Sequence, residues 1–248
     1  MGTMATDLTE PLLAISGATG AVGGRIASLL AGVGHAQRLI VRDTSRAPDL
    51  PGAEIVEGSY EDPEAMRKAL SGIRTFFMVS AGESSDRARI HAAAVDAAVA
   101  AGVERIVYLS FLGAASEATS TLAREHWHTE EHVRSTGLKH TFLRDNAYLD
   151  YVPALVGPDG AIRGPAGEGR VGAVAREDVA EVAVAVLLGE GHDGRTYEVT
   201  GPEAITLREA AEELSRVSGR PISYHPETLE EAYESRASYG APAWEVER

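Results

Sequence analysis

Short apolar segments alternate with longer amphipathic or alanine-rich segments through the first 145 residues of the chain. The apolar segments have the length of buried strands, and they are residues 12–16, 38–41, 53–56, 75–79, 105–109 and 140–143. Helices are predicted between them at about residues 22–30, 63–70, 85–101 and 121–135. This alternation predicts the doubly wound α/β class, a parallel sheet with helices on both faces.

Local signals in the sequence indicate where the predicted helices begin and end. Asp62 followed by Pro63 is typical of a helix start, because aspartate caps the first turn and proline fits the first helical position. Three predicted helices end at a small residue followed by glycine, immediately before an apolar strand. These pairs are Ser71-Gly72, Ala101-Gly102 and Thr136-Gly137. Their recurrence strengthens the prediction of a parallel sheet.

The chain changes character at about residue 147, where glycine and proline become frequent. A further helix is predicted at about residues 178–188 and a strand at residues 195–200. Thr206 and Glu209 form a capping box that opens another helix. This part of the chain therefore predicts a smaller structure of mixed helices and strands.

Three glycines stand between the first predicted strand and the first predicted helix. Gly17, Gly20 and Gly23 have the spacing G-x-x-G-x-x-G, which allows a tight turn that can approach a diphosphate. The negative charge of a diphosphate then meets the N–H groups at the start of the helix. Because strand, turn and helix stand in the required order, the segment predicts a dinucleotide site of the Rossmann type. The alternative is an ordinary strand-to-helix loop without a ligand.

The end of the second predicted strand bears on which nicotinamide cofactor is used. Arg42 follows that strand directly, and arginine at this place suits the 2′-phosphate of NADPH. Asp43 comes next and could instead accept a hydrogen bond from the ribose hydroxyl of NADH. The order of the two residues favours NADPH, with NADH as the alternative. Arg42 could also simply pair with Asp43 or Glu61 on the surface.

The same signals divide the chain into parts. We expect a flexible leader at residues 1–10, an NAD(P)-binding Rossmann domain at residues 11–146 and a smaller substrate-binding lobe at residues 147–248. The lobe is expected to cover the cofactor cleft, and the two parts could exchange segments. Trp244 would be either a lid residue or part of a tail.

Composition excludes several classes of function. A formal net charge of −14 opposes binding to nucleic acid or to anionic lipid. The absence of cysteine excludes disulfides, thiolate catalysis and zinc-thiolate sites. The leader has neither the basic start nor the apolar core of a secretory signal, and no segment approaches the ~18 apolar residues of a membrane span. We therefore expect a cytoplasmic protein. A homodimer is possible, but the sequence does not indicate the oligomeric state.

The motifs together resemble those of NmrA-like proteins, a group of atypical short-chain dehydrogenase/reductases. The resemblance extends over about residues 12–219 and is strongest to the bacterial NAD(P)H:quinone oxidoreductases and the triphenylmethane or azo-dye reductases. It rests on ISGATGAVGG at residues 15–24, IVRD at 40–43, EGSYEDPEAMRKAL at 57–70, the segment at 124–151 and the helix start at 176–178. Within the fourth segment, TEEHV and TFLRDNAY are the specific motifs. Relatives often continue past the equivalent of Ala237, so the chain could be truncated.

The resemblance implies which residues hold the cofactor. The diphosphate would lie on Gly17, Thr19, Gly20, Ala21, Val22 and Gly23, and the 2′-phosphate would face Arg42. Ser59 and Tyr60 would lie near the adenine, where relatives often have Asp-Tyr. Val79, Ser80, Ala81, Ser110, Phe111, Leu143, Arg144, Asp145 and Asn146 would line the cofactor, the nicotinamide or the substrate cleft. The alternative for each of these residues is a structural role, in core packing or in a loop.

The resemblance also implies an unusual catalytic apparatus. Ordinary short-chain dehydrogenases use a Tyr-x-x-x-Lys pair, but the residues four positions before Lys68 and Lys139 are glutamate and serine. We therefore expect hydride transfer to an aromatic, quinone-like or cationic dye-like acceptor that needs little acid help. The predicted catalytic residues are His126 as a proton or hydrogen-bond donor, Asn146 beside the nicotinamide and Tyr148 in the acceptor slot, with Tyr151 next to it. Packing is the alternative for each of them.

Other readings of the sequence remain open. Some NmrA-like proteins bind dinucleotides as regulators without turning them over, so a non-catalytic sensor is the main alternative. His128, Glu131 and His132 match the H-x-x-E-H motif of some zinc metalloproteases, although a third protein ligand is not apparent. An epimerase or dehydratase with a bound cofactor is a third alternative, and it lacks the usual tyrosine and lysine.

Overall fold

A computed structural model describes residues 12–82 and 84–237 of the chain. The predicted leader and Trp244 lie outside the described residues. The chain forms two compact units, one of Met1–Asp145 with Glu177–Glu198 and the other of Asn146–Arg176 with Val199–Arg248. Glu177–Glu198, which we assigned to the smaller lobe while allowing an exchange, thus groups with the first unit. Within the described part of the chain, no helix has the length and apolar composition that crossing a membrane requires.

The described residues contain nine strands, which form two sheets. They are β1 Leu13–Ser16, β2 Gln37–Val41, β3 Ala53–Glu57, β4 Thr75–Met78, β5 Arg105–Phe111, β6 Lys139–Asp145, β7 Ala161–Gly164, β8 Arg195–Val199 and β9 Ser223–Pro226. The larger sheet has the strand order β3-β2-β1-β4-β5-β6-β8, and every pair from β3 to β6 is parallel. β7 and β9 form a separate parallel pair in the second unit. The predicted doubly wound α/β class is therefore confirmed.

Seven α-helices accompany the strands within the described residues. They are α1 Ala21–Gly32, α2 Pro63–Ala69, α3 Arg87–Ala101, α4 Thr121–Ser135, α5 Arg176–Leu188, α6 Leu207–Ser218 and α7 Leu229–Ala237, with 3-10 turns at Thr44–Arg46 and Leu149–Leu155. The predicted caps are confirmed, because Asp62 accepts a hydrogen bond from the Ala65 N–H and Thr206 forms a capping box with Glu209. Gly102 ends α3 in the left-handed conformation, with φ of +83°.

The core of the first unit holds the central strands in place. Large side chains such as Phe76, Tyr108 and Phe142 are fully buried, and alanines of α3 pack among them. Close packing of this kind leaves little freedom for backbone movement. The strand order reverses between β1 and β4, and ligands of open parallel sheets bind where the order reverses. The carboxyl ends of these two strands are therefore where a ligand is expected.

The second unit has a smaller core of its own. Ile162 of β7, Ala211 of α6 and Tyr224 of β9 are buried together. The Tyr224 hydroxyl donates a hydrogen bond to the Gly164 carbonyl oxygen over 2.9 Å, which ties β9 to β7. The helix predicted after Thr206 is present, whereas β7 and β9 were not predicted from the sequence.

Candidate cofactor site

The glycine turn after β1 needs glycine for steric reasons. Gly17 has a φ of +68°, and the Gly20 N–H donates to the Gly17 carbonyl oxygen over 2.9 Å. A Cβ atom at Gly23 would lie 2.3 Å from that same oxygen, which no side chain could tolerate. α1 starts at Ala21, directly after this turn. The first N–H groups of α1 therefore stand where an anion can bind them, as the spacing of the glycines predicts.

A cavity of about 370 Å³ opens beside the glycine turn, within the first unit. Its wall is formed by the turn, the carboxyl end of β2, the loop after β3 and the segment after β4. It brings together eight residues that we predicted to hold the cofactor: Gly17, Thr19, Arg42, Ser59, Tyr60, Val79, Ser80 and Ala81. A Cβ atom on Gly17 would lie 3.0 Å from the Cβ of Val79, so β1 and β4 approach closely at this point.

Arg42 and Asp43 have different surroundings. Asp43 accepts hydrogen bonds from the Ser45 N–H over 3.0 Å and from the Ser45 hydroxyl over 2.6 Å, and these bonds lower the pKa of its carboxyl group. Asp43 therefore caps the short 3-10 turn and does not pair with Arg42. Arg42 is exposed, lines the cavity and has no acidic partner among residues 12–82 and 84–237. Its guanidinium group is thus available for an anionic ligand.

A hydroxyl pair that the sequence did not suggest joins β1 to the cavity wall. Ser16 Oγ accepts a hydrogen bond from the Val79 N–H over 3.0 Å and contacts the Tyr60 hydroxyl. The Tyr60 hydroxyl donates to the Val79 carbonyl oxygen over 2.8 Å. Burial raises the pKa of Tyr60, so its phenol stays neutral. Tyr60 lines the cavity as predicted, but its polar end serves the backbone of Val79.

The ends of β5 and β6 converge on one buried carboxylate. Glu130 of α4 is fully buried and accepts a hydrogen bond from the Ser110 hydroxyl over 2.6 Å. Arg144 binds it with Nε over 2.8 Å and Nη2 over 2.6 Å, and Arg134 adds a bond of 3.1 Å. Ser110 and Arg144 are thus turned towards α4. Leu143 is fully buried in the core, and its predicted contact with the cofactor stays a prediction.

Other residues with predicted roles at the cofactor or the nicotinamide do not line the cavity. Ala21 begins α1, Val22 is buried beneath the turn, and Gly23 serves the close approach described above. Phe111 ends β5, and its ring centroid lies 5.9 Å from that of His126. Asp145, at the end of β6, is buried, and its carbonyl oxygen accepts from the Leu112 N–H over 2.8 Å.

His126, which we predicted to be a catalytic residue, lies in a buried hydrogen-bond network. Its Nε2 accepts a hydrogen bond from Arg87 over 2.8 Å, and arginine can only donate. The ring proton is therefore on Nδ1, which donates to the Tyr108 hydroxyl over 2.8 Å. Burial, followed by the charge of Arg87, holds the pKa of His126 well below its usual value. Both ring nitrogens are thus engaged within the protein, and the predicted role of His126 as a proton or hydrogen-bond donor stays a prediction.

The H-x-x-E-H motif does not form a zinc site. His128 is exposed, whereas the side chain of Glu131 pairs with Arg134. His132 donates a hydrogen bond to Asp96 over 2.8 Å. No group of three or more metal-ligating side chains occurs among the residues that the structure describes. The described residues therefore give the metalloprotease alternative no support.

The remaining predicted catalytic residues lie in the second unit. The Asn146 side-chain oxygen accepts a hydrogen bond from the Ala147 N–H over 2.8 Å. The guanidinium carbon of Arg176 lies 5.1 Å from the ring centre of Tyr148 and 4.0 Å from that of Tyr151. Tyr151 is exposed. The catalytic roles of Asn146 and Tyr148 stay predictions.

Comparison with known proteins identifies the family. A family described as NAD(P)H-binding matches residues 17–190. A reductase of Streptomyces griseus, the (4-alkanoyl-5-oxo-2,5-dihydrofuran-3-yl)methyl phosphate reductase, is 38% identical over 219 residues, which are 86% of this chain and 76% of the relative. Quinone oxidoreductase 2 of Escherichia coli is 36% identical over 221 residues, 86% of this chain and 77% of the relative.

Two solved structures agree with these relatives. The NADPH complex of the Escherichia coli quinone oxidoreductase has a TM-score of 0.84 at 31% identity and covers 95% of this chain and 85% of that one. The NADP(H) complex of Citrobacter triphenylmethane reductase has a TM-score of 0.83 at 33% identity, with 95% and 86% covered. The chain therefore belongs to the NAD(P)H-binding, NmrA-like family and is an NAD(P)H-dependent reductase.

Proposed function

We propose that this reductase uses NADPH to reduce electron-poor conjugated acceptors of the quinone-like or cationic dye-like kind. The observation that carries the proposal is the cavity where β1 and β4 end, with the glycine turn on one side and Arg42 on another. The turn offers backbone N–H groups to the diphosphate, and Arg42 offers a planar cation to the 2′-phosphate. A bound NADPH supplies the hydride.

The preference for NADPH is supported by the different surroundings of Arg42 and Asp43. Selection of NADH would need a carboxylate that is available to the ribose hydroxyls. The Asp43 carboxylate already accepts two hydrogen bonds from Ser45, whereas Arg42 has no acidic partner within the described residues. A 2′-phosphate therefore finds a cation at this place with no competing anion bound to it.

The acceptor class is supported by the lack of a suitable acid. The sequence has no Tyr-x-x-x-Lys pair. Within the described cavity wall, the Tyr60 phenol donates to a backbone oxygen, and burial raises its pKa. Hydride addition to a quinone leaves an anion delocalised over ring and oxygen, which takes its proton from water. Hydride addition to a cationic dye neutralises the cation and needs no proton. Neither reaction depends on an acid from the protein.

The names of the relatives describe acceptors with the same chemistry. An acylated 5-oxo-dihydrofuran has a ring double bond conjugated with carbonyl groups, as a quinone does, and a triphenylmethane dye has an electron-poor central carbon. A compound of each of these kinds can accept a hydride at a conjugated position. We therefore infer that conjugation, and not one particular ring system, defines the acceptors of this chain.

The experiment is a measurement of NADPH oxidation with a matched panel of acceptors. The panel contains a benzoquinone, a triphenylmethane dye, an acylated butenolide and, as the control, a simple dialkyl ketone. We expect at least one conjugated acceptor to accelerate NADPH oxidation strongly and the ketone to have no effect. Acceleration by the ketone alone would contradict the proposed acceptor class. NADPH binding without oxidation by any acceptor would favour the non-catalytic sensor.

A further inference from the structure

Three side chains bind the backbone of the short segment after β4 that lines the cavity. Ser16 and Tyr60 bind the N–H and the carbonyl oxygen of Val79, as described above. His91 of α3 accepts a hydrogen bond from the Ala81 N–H at Nε2 over 2.8 Å. Ser16 and Tyr60 lie in the cavity wall, whereas His91 is fully buried behind it. The segment is thus fixed at both of its ends.

The protonation of His91 follows from its partners. A backbone N–H can only donate, so Nε2 must be unprotonated and Nδ1 must carry the proton. Nδ1 lies 2.9 Å from Thr129 Oγ1 and donates to it, and Thr129 donates in turn to the Glu125 carbonyl oxygen over 3.0 Å. The Tyr108 hydroxyl lies 3.3 Å from the same nitrogen. Burial, followed by the charge of Arg87, lowers the pKa of His91 to about 3. The acceptor form of the ring therefore persists at neutral pH.

We propose that His91 is a positioning residue for the dinucleotide, which acts by holding the Ala81 backbone in the cavity wall. His91 does not itself line the cavity, so it is not a catalytic residue. Without the imidazole, the Ala81 N–H loses its acceptor, and a half-buried amide then turns towards another one. Such a turn changes the wall between Val79 and Gly82, where the cofactor is to lie.

This inference rests on dinucleotide binding and not on the proposed acceptor. Its test therefore measures the dissociation constant of NADPH by calorimetry, with the full chain, and is independent of turnover. Failure of every acceptor in the panel above would leave the test intact. If the His91 variants bind NADPH as tightly as the wild type, this inference fails and the proposed acceptor class is unaffected.

The first variant pair is His91→Phe with Tyr108→Phe as the matched control. Tyr108→Phe removes a hydroxyl from the same buried network, but on the side of the imidazole away from Ala81. We expect His91→Phe to weaken NADPH binding about tenfold or more, which corresponds to the loss of one well-formed hydrogen bond. Tyr108→Phe should lower the melting temperature and leave the NADPH dissociation constant within about twofold. Equal weakening by both variants would overturn the proposal.

A second pair keeps the test decisive if phenylalanine prevents folding. In His91→Gln, the amide oxygen can take the place of Nε2 and accept from Ala81. In His91→Asn, the shorter side chain can only take the place of Nδ1 and face Thr129. We expect glutamine to bind NADPH within about threefold of the wild type and asparagine to bind it at least about tenfold more weakly. Hydrogen exchange at the Ala81 amide should accelerate only in the asparagine variant. Equal NADPH affinity in the two variants would overturn the proposal.

Discussion

Replacement of Gly23 by alanine tests the close approach of the first turn of α1 to the end of β1. The added Cβ atom would lie 2.3 Å from the Gly17 carbonyl oxygen, 2.7 Å from its carbonyl carbon and 3.1 Å from the Ser16 oxygen. All three are backbone atoms, so no side-chain rotation can relieve the contact. Turn and helix must separate by roughly 1.1 Å, from 2.3 to 3.4 Å, to restore ordinary van der Waals contact. Overpacking of this kind costs about 1–3 kcal/mol of unfolding free energy.

The same displacement should weaken dinucleotide binding. The N–H groups at the start of α1 move away from the Gly17 turn, so they can no longer meet a diphosphate together with it. We expect Gly23→Ala to raise the NADPH dissociation constant at least about tenfold. Stability is measured by urea unfolding and binding by calorimetry on the same preparation.

Gly32, the last residue of α1, provides the matched control. A Cβ atom there meets nothing within 4 Å, and alanine favours a helix over glycine by about 1 kcal/mol. Gly32→Ala should therefore be as stable as the wild type or slightly more stable, with unchanged NADPH binding. A folded Gly23→Ala variant that binds NADPH as tightly as the wild type would refute the steric reasoning.

Three further predictions concern charge. Arg42→Ala should weaken NADPH binding about tenfold and leave NADH binding unchanged. Arg46→Ala, on the neighbouring turn, should change neither affinity. An unchanged ratio of NADPH affinity to NADH affinity in Arg42→Ala would contradict the role of Arg42. Glu130→Gln leaves two arginines without their buried carboxylate and should lower the free energy of unfolding in urea by about 3 kcal/mol. The exposed control Glu131→Gln should lower it by less than about 1 kcal/mol, and equal losses would contradict the buried ion cluster. The pKa of His91 falls to about 3 in the folded chain, so the unfolded chain binds more protons than the folded chain below about pH 6.5. The free energy of unfolding should therefore decline as the pH falls from 6.5 to 5, by up to about 1.4 kcal/mol per pH unit for this residue, and His91→Gln should flatten that decline. An identical pH dependence of the urea-unfolding midpoints in the two proteins would contradict the neutral buried ring.

The sequence predicted the architecture well where the signal is local. Buried strands of a parallel sheet are continuous apolar segments, and their positions were confirmed because helices cover both faces of the sheet. Helix ends were predicted because glycines such as Gly102 adopt a backbone conformation that other residues avoid. β7 and β9 could not be predicted in the same way. Their sequences, AIRG and SYHP, contain no apolar pattern, and each strand exists through pairing with a partner about 60 residues away.

The same distinction between local and long-range signals applies to the candidate site. The glycine turn and Arg42 follow directly from their places after β1 and β2. The network around His91 joins residues that are 38 or 39 positions apart, so no spacing in the sequence reveals it. The surroundings of His126 could not be predicted for the same reason, because they depend on how α3 and α4 pack together. Its ring nitrogens bind two buried side chains, Arg87 and Tyr108, and these partners determine which nitrogen carries the proton.

A crystal structure of the chain with NADPH tests the central claim most directly. We expect the diphosphate within hydrogen-bonding distance, ~3 Å, of the backbone N–H groups where the glycine turn leads into α1, and the 2′-phosphate beside the Arg42 guanidinium. A dinucleotide bound elsewhere in the molecule, with the glycine turn empty, would contradict the account.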